Sequence, residues 1–308
     1  MTKTELLNRL SELHAWTASE VPENIPQGDM PGDKIQIGEA HLAKAATIFP
    51  LLVKEMEVVA SEREKIVISV FGGSGVGKSE IASLLAWHLN NSGIGSYVIS
   101  GDNYPRRIPQ NNDAERVSTF RTTGLKGLLE SGAYSDCVRE KLATLWEKDI
   151  DADPAASNEE WLKIYQCCGR EALTAYLGTD KEQDYDEINA IIEKFRSGEN
   201  SVWLKRMGRT ENERWYSEID FSGVNVLILE WTHGNSPALR GIDVPIMLNS
   251  TPEETREHRR LRARDGKTDS PFTTMVLEIE QAKLDAAAVR AKIIISKSGE
   301  ILDPKSFG

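Results

Sequence analysis

The chain has 308 residues, of which 40% are hydrophobic and 28% are charged, and its formal net charge at pH 7 is −11. Such a composition is typical of globular proteins, and the length allows one large domain with additions. The excess of acidic residues argues against a general nucleic-acid or anionic-membrane surface, because both require positive potential. We therefore expect neither nucleic acid nor a membrane among its partners.

The N-terminus and the cysteines favour a cytoplasmic location. The first residues are charged and amphipathic and lack the apolar core of a signal peptide. No apolar run reaches the length of a transmembrane helix. The three cysteines, Cys137, Cys167 and Cys168, lack metal-ligand spacing, and we interpret the adjacent pair as small buried residues. A reducing compartment fits this cysteine usage.

Residues 1–62 are predicted to form a helical extension that precedes the first strand. Apolar spacing predicts a helix over 4–18, followed by a connector rich in Pro and Gly. A second helix is predicted over 39–60, with a bend at Pro50. We expect an accessory layer or an assembly surface here, which leaves a homodimer open as an alternative.

A strand, a glycine-rich loop and a helix follow over residues 66–91, and the loop has the spacing G-x-x-x-x-G-K-S. Glycines let backbone N–H groups point at phosphate oxygens, Lys78 adds charge at the β- and γ-phosphates, and the Ser79 hydroxyl can ligate Mg²⁺. The positive end of the helix faces the same anion. A glycine turn without a ligand is the weaker reading, since an apolar strand and an amphipathic helix flank the loop. The predicted nucleotide-binding residues are Gly72, Gly73, Ser74, Gly75, Val76, Gly77, Lys78, Ser79 and Glu80.

Four more apolar segments, at 96–100, 224–229, 244–248 and 292–296, predict the other strands of the sheet. Short, continuously apolar strands separated by helices indicate an α/β fold, a P-loop NTPase-type parallel sheet covered by helices on both faces. The long polar, helix-like stretch before the third strand predicts a helical insert over 105–183. The core would then comprise 63–104 and 184–308.

Asp102 immediately follows the second strand, in Ser100-Gly101-Asp102. In open α/β sheets ligands lie at the carboxyl ends of the strands, so this carboxylate is predicted to face the γ-phosphate. There it could accept a hydrogen bond or a proton from an attacking hydroxyl. A turn aspartate is the alternative.

Glu230 ends the third strand in the same way, and we predict that it meets Mg²⁺ directly or through water. An ion pair at the end of the strand is the alternative. His233 follows three residues later, and we interpret this lone loop histidine as structural.

Five arginines lie between Arg256 and Arg264, after a predicted helix start at Thr251 with a capping box to Glu254. A solvated helix face explains some of them. We also predict a mobile lid over the triphosphate, in which Arg260 and Arg264 stabilise the transferring phosphoryl group.

These segments resemble the phosphoribulokinase/uridine kinase family, and 264–272 is especially similar to the lid of bacterial pantothenate kinases. The resemblance covers roughly residues 66–104 and 184–296. It implies kinase chemistry with ATP and Mg²⁺, and it makes Asp186, in Asp184-Tyr185-Asp186, the match to an aspartate that holds the acceptor hydroxyl. The predicted catalytic residues are Lys78, Asp102, Arg260 and Arg264, and the predicted acceptor-binding residues are Asp102, Tyr104, Arg106, Asp186 and Arg206.

The chain departs from the family where Trp231 replaces the usual Gly after Glu230, which should reshape the acceptor pocket. Arg106 and Arg107 form an unusual positive pair that could bind an acidic acceptor or pair with the acidic surface.

The sequence therefore predicts an ATP-dependent kinase acting on a hydroxyl of a small metabolite, such as a nucleoside, sugar, sugar acid or pantothenate-like alcohol. The alternative is a P-loop ATPase or toxin-like kinase that acts on, or is regulated by, a macromolecule. A GTPase switch is disfavoured because the N-K-x-D motif is absent.

Overall fold

A computed structural model describes residues 1–13, 21–32, 34–262 and 270–307. Its helices are α1 (Lys3–Ser11), α2 (Glu39–Ala60), α3 (Lys78–Asn91), α4 (Pro109–Glu130), α5 (Asp136–Lys148), α6 (Glu160–Tyr176), α7 (Tyr185–Ser197), α8 (Arg256–Arg262) and α9 (Pro271–Ala288). Its strands are β1 (Ile66–Gly72), β2 (Ser96–Ser100), β3 (Ser201–Met207), β4 (Arg214–Asp220), β5 (Val226–Glu230), β6 (Val244–Leu248) and β7 (Ile293–Ile295).

Five strands form a parallel sheet in the order β2-β5-β1-β6-β7. Every residue of β1, β5, β6 and β7 is buried, because helices cover both faces of the sheet. The predicted α/β fold and its strand positions are thus confirmed. Because the strands are parallel, the carboxyl ends of β1, β2 and β5 lie together. The glycine-rich loop, Asp102 and Glu230 are all found at these ends.

The two faces of β1 bury different layers. Ile66, Ile68 and Val70 pack with α1, α2 and α3, whereas Val67 and Phe71 point toward α7 and α9. The helix predicted over 39–60 is confirmed as α2, which contains Pro50. The helix predicted over 4–18 is shorter, because α1 ends at Ser11. Residues 14–20 lie outside the described part of the chain.

The predicted helical insert corresponds to α4, α5 and α6, which share one core with α9. Close contact between α4 and α6 depends on glycine: a Cβ at Gly124 would collide with Tyr165, and a Cβ at Gly169 would collide with Phe120. The domain boundaries themselves stay a prediction. Among the described residues, no helix is both long enough and apolar enough to cross a membrane.

The sequence analysis missed one element, the antiparallel hairpin of β3 and β4. Its sequence pattern hides the strands, because burial does not alternate strictly: Leu204 to Met207 are all buried, while Trp203 and Tyr216 are 57% and 52% exposed. The expected burial of the adjacent cysteines was also wrong for Cys167, which is exposed on α6.

Candidate active site

The glycine-rich loop connects the end of β1 to the start of α3 at Lys78. Gly75 and Gly77 have φ angles of +76° and +97°, a left-handed conformation that glycine adopts without strain. The Lys78 ammonium folds back over the loop and donates to the Gly73 carbonyl at 3.0 Å. The loop thus has the tight curvature and the adjacent helix N-terminus that phosphate binding requires.

Two side chains from distant parts of the chain press against this loop. A Cβ at Gly75 would lie 3.1 Å from Arg259 Cγ, and a Cβ at Gly77 would lie 3.0 Å from His41 Nε2. The guanidinium of Arg259 donates to the Pro252 carbonyl at 2.7 Å. These close approaches show that the loop is enclosed by α2 on one side and by α8 on the other.

Among the arginine side chains that the structure describes on α8, Arg259 packs against the loop, and the sequence analysis did not select it. Arg259 is 7% exposed and lines the cavity beside the loop, whereas Arg260 is exposed. Arg264 lies outside the described residues. The predicted capping box is confirmed, because the backbone N–H of Glu254 donates to Thr251 Oγ1 at 3.2 Å and the Glu254 carboxylate accepts from Thr251 N at 2.7 Å.

Glu230 lies at the end of β5, next to the loop. Its carboxylate accepts hydrogen bonds from Ser79 Oγ at 3.3 Å and from Ser100 Oγ at 2.7 Å, and the residue is 6% exposed. A hydroxyl and a carboxylate oxygen beside a phosphate-binding loop are the donors that Mg²⁺ prefers, with water and phosphate completing its coordination. The residues present fit a magnesium site.

Replacing Glu230 with Gln is expected to raise the Mg²⁺ concentration for half-maximal turnover by about 10- to 100-fold, because it removes the charge next to Ser79. A magnesium titration of the initial rate measures this shift. Glu130→Gln, at an exposed position on α4, is the matched control. An unchanged magnesium requirement in Glu230→Gln would contradict the assignment.

Asp102 lies in the single helical turn 101–103 that follows β2, and it is exposed toward a cavity of about 690 Å³. The same cavity is lined by Lys78, Ser79 and Glu230. The structure therefore brings together the carboxylate after β2, the loop after β1 and the carboxylate after β5.

A cluster of buried charges from α4, α9 and the loop before α7 lies at the cavity: Arg116 and Glu280 line it, whereas Glu182 is fully buried and does not line it. Arg116 contacts Glu182 at 2.6 Å and Glu280 at 3.7 Å, and Glu182 also accepts from Gly178 N at 2.6 Å. His233 lines the cavity beside them. Sequence reasoning missed this cluster because α4, α9 and the loop before α7 are far apart along the chain.

Burial and mutual charge set the ionisation of this cluster. Burial lowers the pKa of His233 to about 4, against the opposing charge of Glu182, so the imidazole is neutral at pH 7. Burial also raises the pKa of Glu280, with Arg116 opposing it. At Glu182 burial favours a higher pKa, but Arg116 and Gly178 N–H outweigh it and lower the pKa. The cluster therefore offers a neutral imidazole, the Arg116–Glu182 pair and the Glu280 carboxyl group as hydrogen-bonding groups.

Trp231 is 1% exposed and forms part of the cavity wall. Its ring lies against Gly101, where a Cβ would collide with it, and it meets the His233 ring edge to face at 5.2 Å. The large side chain after Glu230 thus shapes the cavity next to Asp102, as the sequence predicted.

Comparison with known proteins identifies relatives that are kinases by name. The chain is 35% identical over 268 residues to the bifunctional alpha-galactosidase/sucrose kinase AgaSK of Mediterraneibacter gnavus, a match covering 87% of this chain and 24% of that protein. It is 32% identical over 108 residues to adenylyl-sulfate kinase 3 of Arabidopsis thaliana, covering 32% of this chain and 51% of that protein. The resemblance to P-loop kinases is confirmed.

The chain spans about a quarter and about half of these two relatives, respectively. Among solved structures, D-glycerate 3-kinase of Cryptococcus neoformans aligns with 87% of this chain and 99% of its own, at 10% identity and a TM-score of 0.44. No protein-family profile matches the chain.

The acceptor-binding residues that the resemblance predicted mostly lie away from the cavity. Asp186 is exposed on the first turn of α7, whose N-cap is Asp184 rather than Asp186. Tyr104 is fully buried, with its ring beneath the Lys205 ammonium at 5.0 Å. Neither Asp186 nor Tyr104 is among the described residues that line the cavity.

The two predicted acceptor arginines also have protein partners. Arg106 donates to the Asp180 carbonyl at 2.5 Å and contacts Asp184 at 3.4 Å, beside a separate surface cavity of about 480 Å³. Arg206 is 7% exposed and pairs with Asp29 at 2.7 Å. Of the five predicted acceptor-binding residues, Asp102 alone lines the cavity within the described ranges.

Proposed function

We propose that this protein is an ATP-dependent kinase that transfers the γ-phosphoryl group to a hydroxyl of a small metabolite. The main support is that one cavity is lined by Lys78 of the phosphate-binding loop, by Glu230 and by Asp102. These are the groups that phosphoryl transfer needs on the nucleotide and acceptor sides. The relative named as a sucrose kinase supports the same activity.

The proposed reaction assigns a role to each side of the cavity. The loop N–H groups and Lys78 bind the β- and γ-phosphates, and the N-terminus of α3 adds favourable potential. Ser79 and Glu230 would hold Mg²⁺, which neutralises phosphate charge when bound. Asp102 orients the acceptor hydroxyl and takes its proton as the new O–P bond forms and the bond to the ADP oxygen breaks.

Arg259 supplies further positive charge next to the loop in this proposal. Its stem packs over Gly75, and its guanidinium is held by Pro252 and Thr255 at 2.7 Å and 2.6 Å. A fixed arginine is suited to stabilising charge that develops during transfer. The predicted contributions of Arg260 and Arg264 remain part of the lid hypothesis.

The distribution of charge favours an uncharged acceptor. Lys78 and Arg259 lie beside the loop. The rest of the cavity is lined by the carboxylates of Asp102, Asp113, Asp149 and Glu280 and by the guanidiniums of Arg116 and Arg209, and Arg116 is paired with Glu182 and Glu280. Such a wall would repel a second carboxylate or phosphate and would bind hydroxyl groups. Among the acceptors that the sequence left open, a sugar fits this wall best, and the named sucrose kinase relative favours the same class.

Replacing Glu280 with Gln is expected to lower kcat/KM for the acceptor by about 2- to 12-fold, since a hydrogen bond contributes about 0.5–1.5 kcal/mol. The KM for ATP should change little. Asp186→Asn is the matched control, because the exposed Asp186 does not line the cavity. Loss of acceptor affinity in Asp186→Asn but not in Glu280→Gln would restore the original assignment of Asp186.

A panel of hydroxyl-bearing metabolites, screened for acceptor-dependent release of ADP, tests the proposed function. We expect one class of neutral polyhydroxyl compound to stimulate ADP release, with sugar acids and sugar phosphates less effective. ADP release that needs a protein partner, or that ignores every acceptor, would instead support the macromolecule-directed kinase or the ATPase. A cytoplasmic location completes the proposal, with a homodimer as an alternative to a single chain.

A further inference from the structure

We propose that Asp29 and Arg206 form a clamp that positions the Asp102 turn, and that the N-terminal connector thereby completes the catalytic cavity. Asp29 belongs to the Pro- and Gly-rich connector between α1 and α2, outside the sheet and the phosphate-binding loop. The proposal rests on the proposed function only for its kinetic readout. The contacts themselves involve no catalytic group of the loop.

Asp29 is 9% exposed, and its carboxylate accepts hydrogen bonds from three different segments. Oδ1 accepts from Ser100 N at 2.6 Å and from Asn103 Nδ2 at 3.1 Å, and Oδ2 accepts from Arg206 Nη1 at 2.7 Å. Burial raises the pKa of Asp29 to about 6, with the charge of Arg206 opposing the shift. The carboxylate is therefore ionised at neutral pH and fully engaged by these donors.

Two of these donors flank Asp102 in the chain. Ser100 precedes and Asn103 follows Asp102 in the turn. Because the Asp29 carboxylate is hydrogen-bonded to both residues, it holds the turn in position. Ser100 also donates through its hydroxyl to Glu230 at 2.7 Å. The clamp thus connects both carboxylates that the sequence predicted at the ends of neighbouring strands.

Arg206 connects the same point to the hairpin. It lies on β3 and also donates to the Tyr97 hydroxyl of β2 at 3.0 Å, and the neighbouring Met207 N donates to Asn103 Oδ1 at 2.9 Å. Arg206 therefore acts through Asp29, and it is a positioning residue rather than an acceptor ligand. The sequence analysis had named Arg206 among the acceptor-binding residues, but it is buried together with Leu204, Lys205 and Met207.

The connector beyond Asp29 becomes part of the cavity wall. Met30, Pro31 and Gly32 line the same cavity as Lys78 and Asp102. The hydrogen bonds of Asp29 thus hold the N-terminal connector next to the cavity that contains Lys78 and Asp102. Loss of these hydrogen bonds should displace both the wall and the Asp102 turn.

The first test is Asp29→Asn, which keeps an oxygen for Ser100 N but removes the charge that pairs with Arg206. We expect kcat to fall by about 10- to 100-fold, because misplacement of a reacting group by about 1 Å has effects of that size. The dissociation constant of ATP should stay within about threefold, since the loop is not touched. Amide exchange of residues 30–32 and 100–104 should become faster.

Asp243→Asn is the matched control. Asp243 is a partly buried aspartate that accepts a backbone N–H, from Val67 at 2.9 Å, and pairs with an arginine, Arg196 at 2.6 Å. It immediately precedes β6, and so it lies at the amino-terminal end of the strands, opposite to the end that carries the phosphate-binding loop. We expect it to lower the melting temperature about as much as Asp29→Asn while leaving kcat unchanged.

Two further variants separate positioning from stability. Adding Arg206→Met to Asp29→Asn removes the unpaired buried charge and should recover melting temperature without recovering kcat. Arg206→Lys, the milder change if Asp29→Asn does not fold, keeps a cation for Asp29 and should retain most of the activity. Normal kcat in Asp29→Asn, or an equal loss of kcat in Asp243→Asn, would overturn the clamp.

The exchange measurement distinguishes failure of the clamp from failure of the kinase proposal. Faster exchange at 30–32 and 100–104 in Asp29→Asn, but not in Asp243→Asn, supports the clamp even if no acceptor is phosphorylated. Unchanged exchange at both segments would refute the clamp even in an active kinase.

Discussion

Replacing Lys78 with Ala is expected to reduce phosphoryl transfer by at least about 100- to 1,000-fold, the range measured when one donor to a developing anion is removed. Lys78 is the cation at the start of α3, and its ammonium reaches only over the loop, to the Gly73 carbonyl at 3.0 Å. Its removal withdraws positive charge from the β- and γ-phosphates, where charge is redistributed during transfer.

The fold should survive this change, because the sheet core is formed by buried side chains of β1, β5 and β6 and not by Lys78. Circular dichroism and thermal melting check the fold, and initial rates check the turnover. Lys126→Ala, at an exposed position on α4, is the matched control and should behave like the unmodified protein. An unfolded Lys78→Ala protein, or one with normal turnover, would contradict the placement of the active site.

Asp102→Asn should retain ATP affinity and lose turnover by about 10²- to 10⁴-fold, the usual contribution of a positioned general base. The substitution is nearly isosteric, so the turn after β2 and its backbone hydrogen bonds to Asp29 should persist. What is lost is a carboxylate that can take the proton of the acceptor hydroxyl. Because Asp102 is assigned to the acceptor and not to the nucleotide, binding of ATP should be nearly unchanged.

Equilibrium ATP binding and acceptor-dependent turnover are measured on the same preparation of Asp102→Asn. Asp136→Asn, at the exposed N-terminus of α5, is the control for loss of one surface carboxylate. If ATP binding collapses while turnover persists, Asp102 has a nucleotide-side or structural role.

The fold and the nucleotide side were predictable because local sequence determines them. The apolar run of β1 followed by the loop and by α3 specifies a strand, a phosphate cradle and a helix N-terminus within 26 residues, 66–91. Asp102 and Glu230 could be selected because parallel strands end at one edge of the sheet, whatever the intervening chain does. These predictions required only the identity of neighbouring residues.

The acceptor side was not predictable because it depends on contacts between distant segments. Whether Arg259 or Arg260 faces the loop is decided by the rotation of α8 against Gly75, which two adjacent arginines in the sequence do not reveal. Arg206 lies in a polar stretch of the sequence, and its partner Asp29 is 177 residues away, so the sequence does not reveal that the two side chains are paired. The cluster of buried charges at the cavity likewise combines Arg116, Glu182 and Glu280 from separate elements.

The central claim is that ATP donates its γ-phosphoryl group to a small hydroxyl compound in the cavity between Lys78 and Asp102. The most direct measurement is the stoichiometry of products: ADP quantified by chromatography and the phosphorylated acceptor identified by ³¹P NMR, with Asp102→Asn run alongside. The account predicts one phosphate ester for each ADP with the unmodified protein and almost none with Asp102→Asn. Inorganic phosphate in place of the ester, or equal ester formation by Asp102→Asn, would contradict it.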